Sequence, residues 1–213
     1  MNKNYFKKFL MQEDKITLLI LEKEAENEAL QEGRRKWREE LGAVIDKLWD
    51  EFVKDIYPNQ SMCRITNKLY GMLSDQARYN LIYILSNVDN TDAFGVALSL
   101  AWTHGYHGSI LRAYKPEQLI WFFKLADENT LMNEKEREVL KNLPDVVKAY
   151  RGVPFSAKSK KGLSWTLSLD VAEIFSKRIK ETQSGVVLEK DIPKSSILAY
   201  LNARQEEELI IDL

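Results

Sequence analysis

One cysteine, Cys63, is all the thiol chemistry this 213-residue sequence offers. A lone thiol cannot close an internal disulfide, so nothing in the composition calls for an oxidising compartment. Long apolar runs are missing too: no stretch approaches the ~20 residues needed to span a bilayer. Ile16 to Leu21 follows a basic start at Met1 to Lys8, but Glu13, Asp14 and Lys15 interrupt the approach to it. It is too short for a signal-peptide core and lacks a small-residue cleavage site. A cytoplasmic protein with no membrane partner is expected. Charge of one sign is absent as well. Lys and Arg total 31 against 32 Asp and Glu, a net charge of -1, which argues against whole-molecule attraction to nucleic acid or anionic lipid. The only two histidines, His104 and His107, stand three apart in Thr103-His104-Gly105-Tyr106-His107-Gly108. No cysteine or acid nearby completes a metal site, so no metal is expected and the stretch reads as a Gly-rich loop. Internal repeats and low-complexity tracts are also lacking.

What the sequence does contain is ordinary globular material, 45% hydrophobic and 30% charged. Its first two thirds read as helix. Trp37, Leu41, Val44, Ile45, Leu48 and Phe52 recur at helical spacing and predict a helix that ends before Pro58-Asn59. Upstream, Glu22 to Glu32 predicts an arm or a long helix broken near Gly33. Leu69 to Leu85 and Ala93 to Trp102 predict two further helices. Lys115-Pro116-Glu117 reads as a helix start, with proline at the first position. Glu134 to Leu140 is a short helix stopped at Leu143-Pro144-Asp145. Beyond Pro144 the pattern changes to strands: Val146 to Tyr150, Gly185 to Glu189, Ile197 to Leu201 and Leu209 to Leu213. Asp170 is read as the N-cap of a helix from Val171 to Ile179. The expectation is an α+β protein with a helical region over 1–145 and a β-rich part over 146–213. The β-rich part alone is small for an independent core, so helices from the first region are expected to pack on it.

Three segments in the last third carry the candidate chemistry. Tyr150-Arg151-Gly152 offers a permanent cation that binds phosphate through paired hydrogen bonds, followed by a glycine that allows close approach to the backbone. Ser164-Trp165-Thr166 places two hydroxyls on one face of a strand. Taken alone, the first segment is equally a solvated arginine at a strand end, and the second a polar edge strand. Glu206-Glu207-Glu208 precedes Leu209-Ile210-Ile211, so Glu206 and Glu208 share a side while Glu207 points away. Paired carboxylates in different environments can divide labour, one staying ionised beside developing positive charge and one acting as base. The bland alternative for them is a solvated acidic loop.

In this order, with Val171-Ala172-Glu173-Ile174-Phe175 after the serine strand, the segments resemble the arginine–serine–glutamate class of mono-ADP-ribosyltransferases over roughly residues 146 to 213. The resemblance implies a split, mixed or antiparallel ADP-ribosyltransferase sheet, with the helical region contributing to the NAD cleft and recognising an acceptor or partner. It implies NAD as substrate. Arg151 would hold the NAD phosphates and nicotinamide ribose, with the Gly152 backbone near the nicotinamide amide. Ser164 would position the catalytic acid and Thr166 would support the strand. Glu208 would bond the ribose 2-hydroxyl, and Glu206 would activate the acceptor. In this family, glutamate two places before the catalytic acid accompanies modification of arginine. Trp165, bulky between the hydroxyls, is a departure that could shape the nicotinamide pocket, and Phe155 and Phe175 are candidates to stack on it. Protein arginine is the favoured acceptor. Between Lys148 and Arg204, 11 Lys and Arg face 5 Asp and Glu, so an RNA or DNA base is the alternative acceptor. An inactive family member acting as a binding module is a further alternative. Such an enzyme fits an intracellular effector, either a toxin with a neutralising partner or a phage modifier of its host.

Overall fold

The computed structural model describes residues 3–12, 18–19, 21–22, 25, 27–53, 60–87, 91–104, 110–157, 161–177 and 185–212. It divides into two compact units, Met1–Ala113 and Tyr114–Leu213. Among the described residues no helix is long and apolar enough to cross a membrane.

The first unit is helical: α1 (Lys3–Leu10), α2 (Glu28–Val53), α3 (Gln60–Met72), α4 (Asp75–Leu85), α5 (Thr91–His104) and a single turn, α6 (Ile110–Ala113). Of the stripe that predicts α2, Leu41, Ile45 and Leu48 are at most 1% exposed, whereas Trp37 is 38% exposed. Asn27 starts this helix, its Oδ1 accepting from the amides of Ala29 and Leu30. The expected break near Gly33 does not occur. A glycine inside a helix costs only about 1 kcal/mol against alanine, which a helix of 26 residues absorbs. The single helix expected over Leu69 to Leu85 is two. Ser74 takes an extended conformation, and its side chain accepts from the Ala77 amide at 3.4 Å, restarting the helix as α4. α1 docks on α2 through buried Phe6 and Leu10, with the Phe6 and Trp49 rings 5.5 Å apart and Lys7 reaching Asp46 at 2.9 Å. The expected stop at Pro58-Asn59 lies outside the described residues.

The second unit opens with α7 (Pro116–Leu125), α8 (Glu128–Leu131) and α9 (Glu134–Asn142). Pro116 does stand at the start of α7, where the Gln118 side chain accepts from the Lys115 amide. Asn133 caps α9 and accepts from the Glu136 amide, while the Glu136 carboxylate accepts from the Asn133 amide. Five strands follow: β1 (Val146–Val153), β2 (Ser164–Thr166), β3 (Val186–Pro193), β4 (Ile197–Leu201) and β5 (Glu208–Ile211), with α10 (Leu169–Ser176) after β2 and a 3-10 turn, Lys194–Ser196, before β4. They form one sheet in the order β3-β1-β2-β5-β4, every pairing antiparallel. β1 and β3 pair along their full length, from Val146↔Pro193 to Val153↔Val186. β1 and β2 share one pair, Tyr150↔Thr166.

Val147, Ala149, Trp165, Ile192, Tyr200, Leu209 and Ile211 form the core on one face of this sheet, with Leu140 and Leu143 from the α9 end packed against it. α7 and α9 both touch β4. The compact units separate at Ala113/Tyr114 rather than near 145, and the two helices read with the front of the chain, α7 and α9, belong to the unit of the sheet, as does α8. Two element readings also change. The cap of α10 is Ser168, whose Oγ accepts from the Val171 amide, and Asp170 lies in the first turn. Glu208 is the first residue of β5 rather than a residue preceding it.

Candidate active site

β2 is an interior strand, held between β1 and β5, so the reading of Ser164-Trp165-Thr166 as a polar edge strand is excluded. Its alternation sends Trp165 into the core, where it is 7% exposed and its Nε1 donates to the Gly162 carbonyl at 3.1 Å. Trp165 is thus a residue of the core on that face. Ser164 and Thr166 project to the opposite face. Across the ladder Thr166 pairs with Glu208 and Trp165 with Leu209.

Glu208 sits in a strand whose four residues are all buried, with its side chain 7% exposed. Burying an ionised carboxylate costs several kcal/mol unless donors surround it. Here Ser164 Oγ–H donates to Oε1 at 2.5 Å, and Arg204 Nη2 lies 3.4 Å from Oε2. The same Arg204 nitrogen is 2.9 Å from Glu206 Oε2. One cation therefore bridges the two glutamates, which face one space, while Glu207 between them is exposed. This is the arrangement expected from their spacing.

The loop carrying the acids is tied down at both sides. Thr166 Oγ1 donates to the Glu206 carbonyl at 2.7 Å and accepts from the Ser168 amide at 3.0 Å. The Leu167 amide donates to the Glu207 carbonyl at 3.1 Å. At the other side Asn202 Oδ1 accepts from the Glu207 amide, and the Asn202 amide donates to the buried Glu136 carboxylate at 2.6 Å. Gln205 and Glu207, at φ 58° and 45°, occupy the left-handed region that disfavours side chains. Two such residues flanking Glu206 persist only because these bonds hold the turn.

Arg151 reaches the same neighbourhood from β1. Its Nη1 donates to the Ser164 carbonyl at 2.5 Å, so the arginine grips the strand that carries the serine. Its Nε is buried with no hydrogen-bond partner. Burial lowers the guanidinium's pKa from its ordinary value, and the Glu208 carboxylate acts in the opposite direction. A guanidinium starts so high that it stays charged at physiological pH.

Two glycines matter here, for different reasons. A Cβ on Gly152 would stand 1.9 Å from the Ala172 carbonyl oxygen and 2.7 Å from Phe175 Cβ. Gly152 allows the close approach of α10 on β1, and Phe175 packs at this crossing. Gly162 carries no expectation from the sequence, yet a Cβ there would lie 2.2 Å from Arg151 Nη2 and 2.3 Å from Cζ. The guanidinium lies against this bare backbone.

Of the expected site residues, Arg151, Ser164, Thr166, Glu206 and Glu208 come together, whereas Trp165 and Gly152 serve packing. Phe155 is 60% exposed on the turn after β1. Arg204, Gly162, Asn202 and Glu136 belong to the site and carry no local sequence signal, because each acts through a tertiary contact. His104 Nδ1 is 2.9 Å from Thr103 Oγ1, and His107 lies outside the described residues, as do Lys158, Lys160, Arg178 and Lys180. Of the other cations in that basic stretch, Lys148 pairs with Glu189, Lys177 with Glu173, and Lys194 caps carbonyls of Lys141 and Leu143. The sequence matches no protein-family model and no curated protein, and the fold matches no solved structure.

Proposed function

We propose that this chain is an NAD-dependent mono-ADP-ribosyltransferase of the arginine–serine–glutamate class, its sheet the ADP-ribosyltransferase core, transferring ADP-ribose to arginine side chains of proteins. The observation that carries this reading is the Ser164–Glu208 hydrogen bond inside the sheet, with Glu206 turned to the same cation. A sequence selected for folding alone gains nothing from a buried carboxylate in mid-sheet.

On this reading Arg151 binds the diphosphate with the guanidinium donors that Ser164 leaves unused. Ser164 fixes the Glu208 carboxylate so that its other oxygen, beside Arg204, meets the 2-hydroxyl of the nicotinamide ribose. As the bond to nicotinamide breaks, positive charge grows at the anomeric carbon, and an ionised, preorganised Glu208 stabilises that state more than the ground state. Glu206, more accessible at 23% exposure, takes the proton from the incoming acceptor. The Arg204 contact supports a guanidine acceptor, since the space between the two glutamates already holds one.

Incubation of a cell lysate with the protein and NAD labelled on its adenylate half tests the reading. Protease-sensitive label supports it, nuclease-sensitive label replaces protein with nucleic acid as acceptor, and free ADP-ribose alone reduces the activity to hydrolysis. Glu208→Gln should lower both transfer and hydrolysis by about 10² to 10³, whereas Glu206→Gln should lose transfer and keep much of the hydrolysis. Full transfer by both variants would overturn the assignment.

A further inference from the structure

Between α2 and α3, within the helical unit, runs a groove of about 350 Å³. Lys68, late in α3, meets Glu40 in the middle of α2 at 2.7 Å. Only residues 54–59 separate the two helices in sequence, so they run antiparallel. Ala43, Val44 and Ile65 form the apolar floor. Ile65 is 7% exposed, Val44 is half-buried and Ala43 is open to solvent. The rim is charged unevenly. At one end the Glu40–Lys68 pair neutralises itself. Lys47 stands seven residues along α2 from Glu40, about 10 Å at the helical rise. Arg64 lies one turn back along α3 from Lys68, so two exposed cations mark the other end. Among the described residues no acid pairs with either of them. The same stripe of α2 runs back one turn to Trp37, itself 38% exposed.

Each feature narrows the occupant. The lining comes from α2 and α3 alone, so the groove has walls on two sides and cannot enclose a small molecule as ligand pockets do. Its long direction follows two antiparallel helices, which suits a third helix laid along them with apolar side chains at every third or fourth position. The apolar floor and the exposed tryptophan supply burial of the kind that anchors such a helix. Lys47 and Arg64 favour acids on its flank and repel a basic one. Nucleic acid fits less well, since its phosphates would stand over an apolar floor and beside Glu40. We propose that the α2–α3 groove binds an acidic amphipathic helix of a partner protein, with its apolar stripe on Ala43, Val44 and Ile65 and its acids against Lys47 and Arg64. The inference does not rest on the transferase reading. It gives the helical unit a recognition role separate from the chemistry of the sheet.

Selection on the full chain from a phage-displayed library of helical peptides, varied along one face and both flanks, tests this. Fluorescence anisotropy then measures the selected peptides. Enriched sequences should carry aliphatic residues at i, i+3 or i+4, and i+7, with Asp or Glu beside them, and added salt should weaken their binding. Ala43→Arg fills the groove from an exposed position, and Lys47→Glu combined with Arg64→Glu reverses its open end. Each variant should weaken binding by about tenfold or more and keep the melting temperature of the protein. A library that yields no binder, or only basic ones, would overturn the proposal, as would binding that both variants leave intact. Sedimentation showing self-association that Ala43→Arg abolishes would make a second copy the occupant instead. Binding of a labelled oligonucleotide, lost in the Lys47→Glu, Arg64→Glu protein, would put nucleic acid in place of the partner helix and equally sink the idea.

Discussion

Gly162 shows how much of the site depends on a single missing side chain. Alanine there would put a methyl group 2.2 Å from Arg151 Nη2, and the flexible guanidinium would move rather than the backbone. Gly162→Ala should therefore fold with an unchanged melting temperature and bind NAD about ten- to a hundredfold more weakly, the worth of one charged hydrogen bond. Titration of NAD-dependent nicotinamide release measures this, and an unchanged KM would remove Arg151 from the phosphate site. The residue types in the three segments were legible in the sequence, because a cation, a hydroxyl and spaced carboxylates announce their chemistry. Gly162 and Arg204 were not, since what matters is which side chain lies against each of them. The core place of Trp165 was not legible for a related reason: the core on its face of the sheet is built by strands far off in sequence.

Among the elements, α9 and α1 are each fixed to their surroundings by one acid. Glu136 is 6% exposed and serves twice, closing the capping box of α9 and receiving the Asn202 amide of the loop that carries Glu206. Glu136→Ala removes both and should cost about 2 kcal/mol in urea unfolding. Transfer should fall more than hydrolysis, because the loop that aims Glu206 loses its anchor. Asp46 holds α1 through Lys7 and Lys3. The Lys7 hydrogen bond, with attraction from both lysines, keeps its carboxyl below the ordinary value against the opposing effect of partial burial. A depressed carboxyl stabilises the fold above the unfolded pKa near 4 and loses that contribution as pH falls through the folded value. The stability gap between the protein and Asp46→Asn should thus be widest at neutral pH and close in acid, as read by urea titrations at each pH. Helix and strand types were readable from periodicity and from the proline at the start of α7, Pro116. Ends were less so: Ser74 splits a continuous apolar pattern because a local side-chain bond outcompetes the helix there.

For the whole molecule, the decisive boundary is Ala113/Tyr114. Apolar spacing tells that α7 and α9 are helices but not which core receives them, which is why a change from helical to strand pattern near 145 misplaces the division. The core on the sheet draws all its members from the second unit. Residues 114–213 expressed alone should accordingly unfold cooperatively in urea and keep a near-ultraviolet signal from Trp165; a non-cooperative transition would refute their autonomy. Within that unit the narrowest place is the single Tyr150↔Thr166 pair between β1 and β2. The ribbon of β1 and β3 bears Arg151, and the block of β2, β5 and β4 bears Ser164 and Glu208. A sheet hinges most easily where its ladder is one rung wide. The arm that bears Arg151 is thus joined to the block that bears Ser164 and Glu208 by one rung and by the Arg151 hydrogen bond to the Ser164 carbonyl, the two links that any pivot between them must strain.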